Sequence, residues 1–166
     1  PESDSTVVKM LKDAGAIVLA KTNLCDWAAS WFGYSSVIGR TKNPYVFDRD
    51  PGGSSAGTGA GIAANLGTIG IGEDTGGSVR LPAGYCNLYG LRVTTGLVSR
   101  TGFSPLVTRQ DTPGPMTRTA EDLARLLDVI VGYDSDDPWT GANAGIAKDS
   151  FVESLDPDAL DGARIG

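Results

Sequence analysis

Histidine is missing from all 166 residues, and with it the usual proton acceptor of serine hydrolases and the commonest metal ligand. Cysteine is nearly missing too. The two present, Cys25 and Cys86, stand 61 positions apart without the close spacing of a zinc site, so no metal is expected. A disulfide between them stays open, although free buried thiols in a reducing, cytoplasmic setting are the simpler reading. Positive charge is in deficit, with 14 basic against 20 acidic side chains and a net charge of −6. That argues against a nucleic-acid partner, since phosphate binding needs a positive footprint. No apolar run is long enough to span a bilayer and no signal peptide is visible, so no membrane partner is expected. Gly-Lys-Ser and Gly-Lys-Thr do not occur, which excludes a P-loop.

What the chain has in excess is glycine: 23 residues, ten of them between Arg49 and Pro82 in RDPGGSSAGTGAGIAANLGTIGIGEDTGGSVRLP. At that density glycine weakens regular structure, so close backbone approach to a ligand or reacting group is the expected reason for it. Two serines follow paired glycines, Ser54 after Gly52-Gly53 and Ser78 after Gly76-Gly77, 24 positions apart. Between them the pattern predicts a small-residue helix over 56–65 and a short buried strand over 68–72, which can fold the serines back toward one another.

Two lookalike motifs fail. Gly53-Ser54-Ser55-Ala56-Gly57 fits the nucleophile elbow G-x-S-x-G with Ser55 as nucleophile, but that mechanism needs a histidine base. Gly59-Ala60-Gly61-Ile62-Ala63-Ala64 fits a dinucleotide fingerprint, yet Pro51 and the preceding glycines preclude the strand that should lead into it. A serine nucleophile without histidine leaves a neutral lysine as base, acting directly or through a second hydroxyl.

The run GGSSAGTGAGIAANLGTIGIGEDTGGSVRLPAGYCNLYGLRVTTGLVS resembles the amidase signature family, as do AGAIVLAKTN upstream and DTPGPMTRTAEDLARLL downstream, together over roughly residues 5–132. The resemblance implies an α/β fold, a mixed β-sheet core covered by helices, here truncated at both ends. Residues 1–166 would be one partial domain with its core at 5–132 and an acidic surface excursion at 133–161. It further implies that Ser78 is the acyl-forming nucleophile and Ser54 the bridging serine, held by an unusual cis peptide bond. The amides of Thr75, Gly76, Gly77 and Ser78 would form an oxyanion hole, with Asp74 and Arg80 bracing the turn. The family's lysine lies upstream of the first Gly-Gly-Ser, outside this chain. Lys9, Lys12, Lys21 and Lys42 read as surface residues, with Lys21 the nearest substitute.

The implied activity is hydrolysis of carboxamide C–N bonds without cofactor or metal. The alternatives are an amidase-like subunit of a glutamine-dependent amidotransferase, an esterase preference, or a catalytically inactive fragment that serves as a binding module. The expected partners are a small-molecule amide and either a second copy, as a homodimer, or the remainder of the amidase domain.

Elsewhere the pattern predicts an amphipathic helix over 5–14, a buried strand at Ala16–Ala20, a short helix over 24–29, a strand over 88–93 and rigid connecting chain at 111–115. The aromatics Trp31, Phe32 and Tyr34 read as core or as pocket wall. Residues 94–105 read as turn, with Ser99–Gly102 packing or reaching the site. Thr119 caps a helix whose stripe is Leu123, Leu126, Leu127, Ile130 and Val131.

Overall fold

The computed structural model describes residues 2–145 and 149–166. In chain order its elements are α1 (Thr6–Asp13), β1 (Tyr34–Ser35), β2 (Gly39–Arg40), α2 (Ala56–Ala63), β3 (Ile69–Asp74), α3 (Arg80–Tyr85), β4 (Tyr89–Gly90), β5 (Thr112–Thr117) and α4 (Ala120–Ile130), with 3₁₀ turns at Asp26–Ala28 and Pro138–Asn143.

The two outer helices follow from their caps and stripes. Ser5 accepts the Val8 amide at the head of α1, and Thr119 accepts the Asp122 amide at 3.0 Å at the head of α4. A cap of this kind is worth about 1 kcal/mol. Val7 from α1 meets Leu126, Leu127 and Ile130 from α4, and Val93, Val98 and Val131 complete the main core. Full burial contributes roughly 1.5–3 kcal/mol for each large aliphatic side chain.

The sheet is antiparallel with strand order β3-β5-β4, while β1 and β2 form a separate small hairpin. Its central strand, β5, includes residues expected to be rigid connecting chain, because prolines normally exclude a segment from a sheet interior. Alternation explains the exception. Leu91 N–H donates to the Pro115 carbonyl, so residues 113 and 115 turn their backbone groups toward β4, which is only two residues long. The ladder to β3 then runs through the other residues of β5, and the missing proline donors cost little. The strand expected over 88–93 is correspondingly shorter.

Ala16–Ala20 is also corrected. It forms no strand, and Ile17 and Leu19 are 84% and 71% exposed. Its apolar composition suits a sheet interior, but no strand among the described residues pairs with it. Beyond the helices, the acidic stretch after 132 is partly tied in: Asp137 and Thr140 are buried, and Asp134 accepts the hydroxyls of Thr6 and Ser99. Residues 146–148 of that stretch lie outside the described residues. No helix among the described residues is long and apolar enough to cross a membrane.

Candidate active site

The two Gly-Gly-Ser turns meet at the end of β3. The Ser78 carbonyl accepts the Ser55 N–H at 3.3 Å, which places Ser54 and Ser78 on adjoining backbone. Helix α2 makes this possible. It leaves the first turn at Ala56, its Thr58 hydroxyl bonds the Ile71 carbonyl of β3, and the Ser55 hydroxyl accepts the Glu73 amide at 3.2 Å. Ser55, the nucleophile of the rejected elbow motif, is thus occupied in holding helix to strand.

Ser54 and Ser78 are 3% and 5% exposed, yet neither hydroxyl has a partner among the described residues, and neither is a sealed, unpaired atom. Both stay available to a substrate. The Gly53–Ser54 peptide bond is cis. Only glycine fits at 53, since a Cβ there would stand 2.7 Å from the Phe32 carbonyl oxygen. Gly77 has φ of 141° and sits 3.7 Å, measured from its absent Cβ, from the Trp31 indole nitrogen. Trp31, Phe32 and Tyr34 are largely exposed, so they are not core; Trp31 borders the Gly76-Gly77-Ser78 turn.

Asp74 organises that turn. It is fully buried, and it accepts the Gly77 amide at 2.8 Å, the Val79 and Arg80 amides at 3.1 and 3.2 Å, and the Arg80 guanidinium at 3.1 Å. Arg92 stands 3.4 Å away as a second cation. Burial alone would raise its pKa, but the Arg80 side chain and the three amides outweigh that and hold the carboxyl below the usual carboxylate range.

This geometry trims the expected oxyanion hole. The Gly77 N–H is committed to Asp74, a buried carboxylate that needs every donor near it. The amides of Thr75, Gly76 and Ser78 have no acceptor among the described residues, so three donors remain open rather than four. Each such donor is worth roughly 3 kcal/mol to an acyl-transfer transition state.

Among the described residues no lysine bonds either serine. Lys9, Lys12, Lys21 and Lys42 are all exposed, and Lys12 is paired with Asp4; Lys148 lies outside the described residues.

At the end of β3, lined by neither serine, is a cavity of about 200 Å³ whose wall includes Glu73, Arg100, Thr101, Phe103, Thr108 and Asp111. Residues 100 and 101, from the turn-rich segment, therefore reach the end of β3. Burial, and then the charge of Asp111, push the Glu73 carboxyl up to about 7 against a weaker opposing pull from Arg100. A carboxyl whose folded pKa is raised favours folding below its unfolded value near 4.5 and loses that contribution as pH climbs through about 7. Glu73→Gln should therefore match the parent in urea midpoint at pH 4.5 and exceed it at pH 8. Equal midpoints at both would contradict the raised value.

Sequence reasoning gave no role to Asp111 or Arg92. Both lie in stretches that carry the resemblance, but each acts on a residue distant in sequence, across the sheet.

Comparison with known proteins identifies the family. The amidase family model matches residues 1–166. The chain is 43% identical over 165 residues to a glutamyl-tRNA(Gln) amidotransferase subunit from Acinetobacter baumannii, covering 98% of this chain and 32% of that protein. The native peptide amidase of Stenotrophomonas maltophilia superposes with a TM-score of 0.91 at 44% identity, over 96% of this chain and 34% of that one. The corresponding glutamyl-tRNA(Gln) amidotransferase subunit from Thermotoga maritima gives 0.80 at 40% identity, over 82% and 30%. This chain thus spans about a third of the length of the relatives it matches. A family model covering every residue, met by the paired Gly-Gly-Ser turns, places the chain in the amidase family.

Proposed function

We propose that the protein hydrolyses carboxamide C–N bonds through an acyl-enzyme on Ser78. The observation that carries this is the meeting of the two Gly-Gly-Ser turns, with both serine hydroxyls unpartnered among the described residues beside three unfilled amides. Ser78 Oγ attacks the amide carbonyl, Ser54 takes the hydroxyl proton and passes it to a neutral lysine, and the carbonyl oxygen gathers negative charge against the amides of Thr75, Gly76 and Ser78. Return of the proton through Ser54 expels ammonia or an amine. Water then attacks the ester by the same relay and releases the acid. The lysine comes from outside residues 1–166.

The chain is read as part of one amidase domain, its core at 5–132 and an acidic excursion at 133–161. The exposed apolar segment at Ile17, Val18 and Leu19 fits burial against the remainder of that domain, or against a second copy in a homodimer. The two free, buried cysteines fit a reducing, cytoplasmic setting.

Similarity to the two amidotransferase subunits supports a second reading, in which the ammonia is released for a partner enzyme. Ammonia release from a panel of free carboxamides, with matched esters alongside, separates the cases. Amide turnover is the expected result once the segment that carries the lysine is present. Cleavage of esters alone would replace amidase with esterase, and ammonia release only when a partner is added would favour the amidotransferase reading.

A further inference from the structure

The strand register carries one step beyond the serines. Asp74 pairs with Thr112 as the last rung between β3 and β5, so the next residues out, Thr75 and Asp111, stand opposite each other where the nucleophile turn leaves the sheet. Side chains opposite one another across an antiparallel pair share a face and can bond. Here they do: the Thr75 hydroxyl donates to Asp111 Oδ1 at 2.5 Å.

Asp111 is itself held from the other side. It is 2% exposed, its Oδ2 accepts the Leu106 and Val107 amides, each at 2.9 Å, and its own N–H donates to the Val107 carbonyl. A buried carboxylate with that many charge-assisted bonds is a rigid post. Thr75 is tied to it by side chain, while the Thr75 amide has no acceptor among the described residues.

We propose that Asp111 is a positioning residue for acyl transfer, fixing through the Thr75 hydroxyl the place of the Thr75 amide as an oxyanion donor. The proposal rests on acyl transfer at Ser78. Asp74 holds the far side of the turn by the Gly77, Val79 and Arg80 amides, whereas among the described residues the Thr75 side chain has only this tether. An oxyanion donor works by being in place before charge develops, so loosening one should slow the chemical step while leaving substrate binding alone.

Thr75→Val keeps the shape and the amide but removes the hydroxyl; Thr75→Ser keeps the hydroxyl; Asp111→Asn weakens the post. Two readouts are needed on each, with the lysine-bearing segment present: amide turnover with kcat and KM resolved, and hydrogen exchange of the 73–79 peptide. Thr75→Val and Asp111→Asn should lower kcat about 10- to 100-fold with KM within about twofold. Both should also speed exchange in 73–79, and Thr75→Ser should behave as the parent. Unchanged kcat in Thr75→Val, even with a lowered melting temperature, would overturn the proposal, because a purely structural bond costs stability and not turnover. A parent with no turnover would instead sink acyl transfer at Ser78. The tether would then stand or fall on whether Thr75→Val speeds exchange.

Discussion

Replacing Asp74 with alanine is expected to cost about 3–5 kcal/mol of folding stability, because it removes the one anion from a buried cluster and leaves its donors orphaned. The amides of Gly77, Val79 and Arg80 all end on that carboxylate, as does the Arg80 guanidinium, and Arg92 stands beside it. The half-exposed Arg80 guanidinium can turn to water, but the buried Gly77 and Val79 amides lose their acceptor. Urea unfolding at neutral pH measures the loss directly, and a change under about 1 kcal/mol would contradict the bracing role. Acid should act in the same direction. A carboxyl whose folded pKa is depressed contributes stability above its unfolded value of 3.8 and loses it as pH falls through the lower folded value. Asp74→Ala should therefore abolish part of the parent's acid sensitivity as well as lowering its neutral stability.

The largest catalytic effect belongs to Ser78. Ser78→Ala removes the atom proposed to form the acyl bond, and amide turnover should fall by roughly ten-thousandfold or more. Ser54→Ala removes only the proton relay. Its loss should be smaller, roughly a hundred- to ten-thousandfold, and it should retain slow reaction at Ser78. Both residues are buried with hydroxyls unpartnered among the described residues, so neither substitution orphans a neighbour and stability should hardly move. An equal loss in Ser55→Ala would not upset this order if it came with unfolding, since Ser55 bonds the Glu73 backbone. Full activity in Ser78→Ala would end the assignment.

Much of this site is legible in the chain because its determinants are local or periodic. Ser5 and Thr119 announce their helices through bonds three residues away, and the apolar stripe of α4 repeats at helical spacing. The 24-residue interval between serines encloses one helix and one strand, so the return of Ser78 to Ser54 follows from element lengths. What escaped depends on partners distant in sequence. Ala16–Ala20 has the composition of a buried strand, but composition does not supply a neighbour, and here the segment is bare. Pro113 and Pro115 argue against a strand until the side on which their missing amides fall is known. Asp111 bonds Thr75 across 36 positions, and no spacing rule marks it. The Gly77 amide looked free for an oxyanion because nothing in the sequence says how many donors a buried Asp74 will take.

The central claim, an activated Ser78, is tested most directly by intact mass of the purified protein with its lysine-bearing segment present, after exposure to a fluorophosphonate, with peptide mapping of the adduct. In that reaction the serine oxygen bonds phosphorus and fluoride leaves, so no knowledge of the substrate is needed. One adduct per chain on the peptide containing Ser78, absent from Ser78→Ala, is the predicted result. An adduct on Ser54 or Ser55, or a Ser78 that stays unmodified, would contradict it.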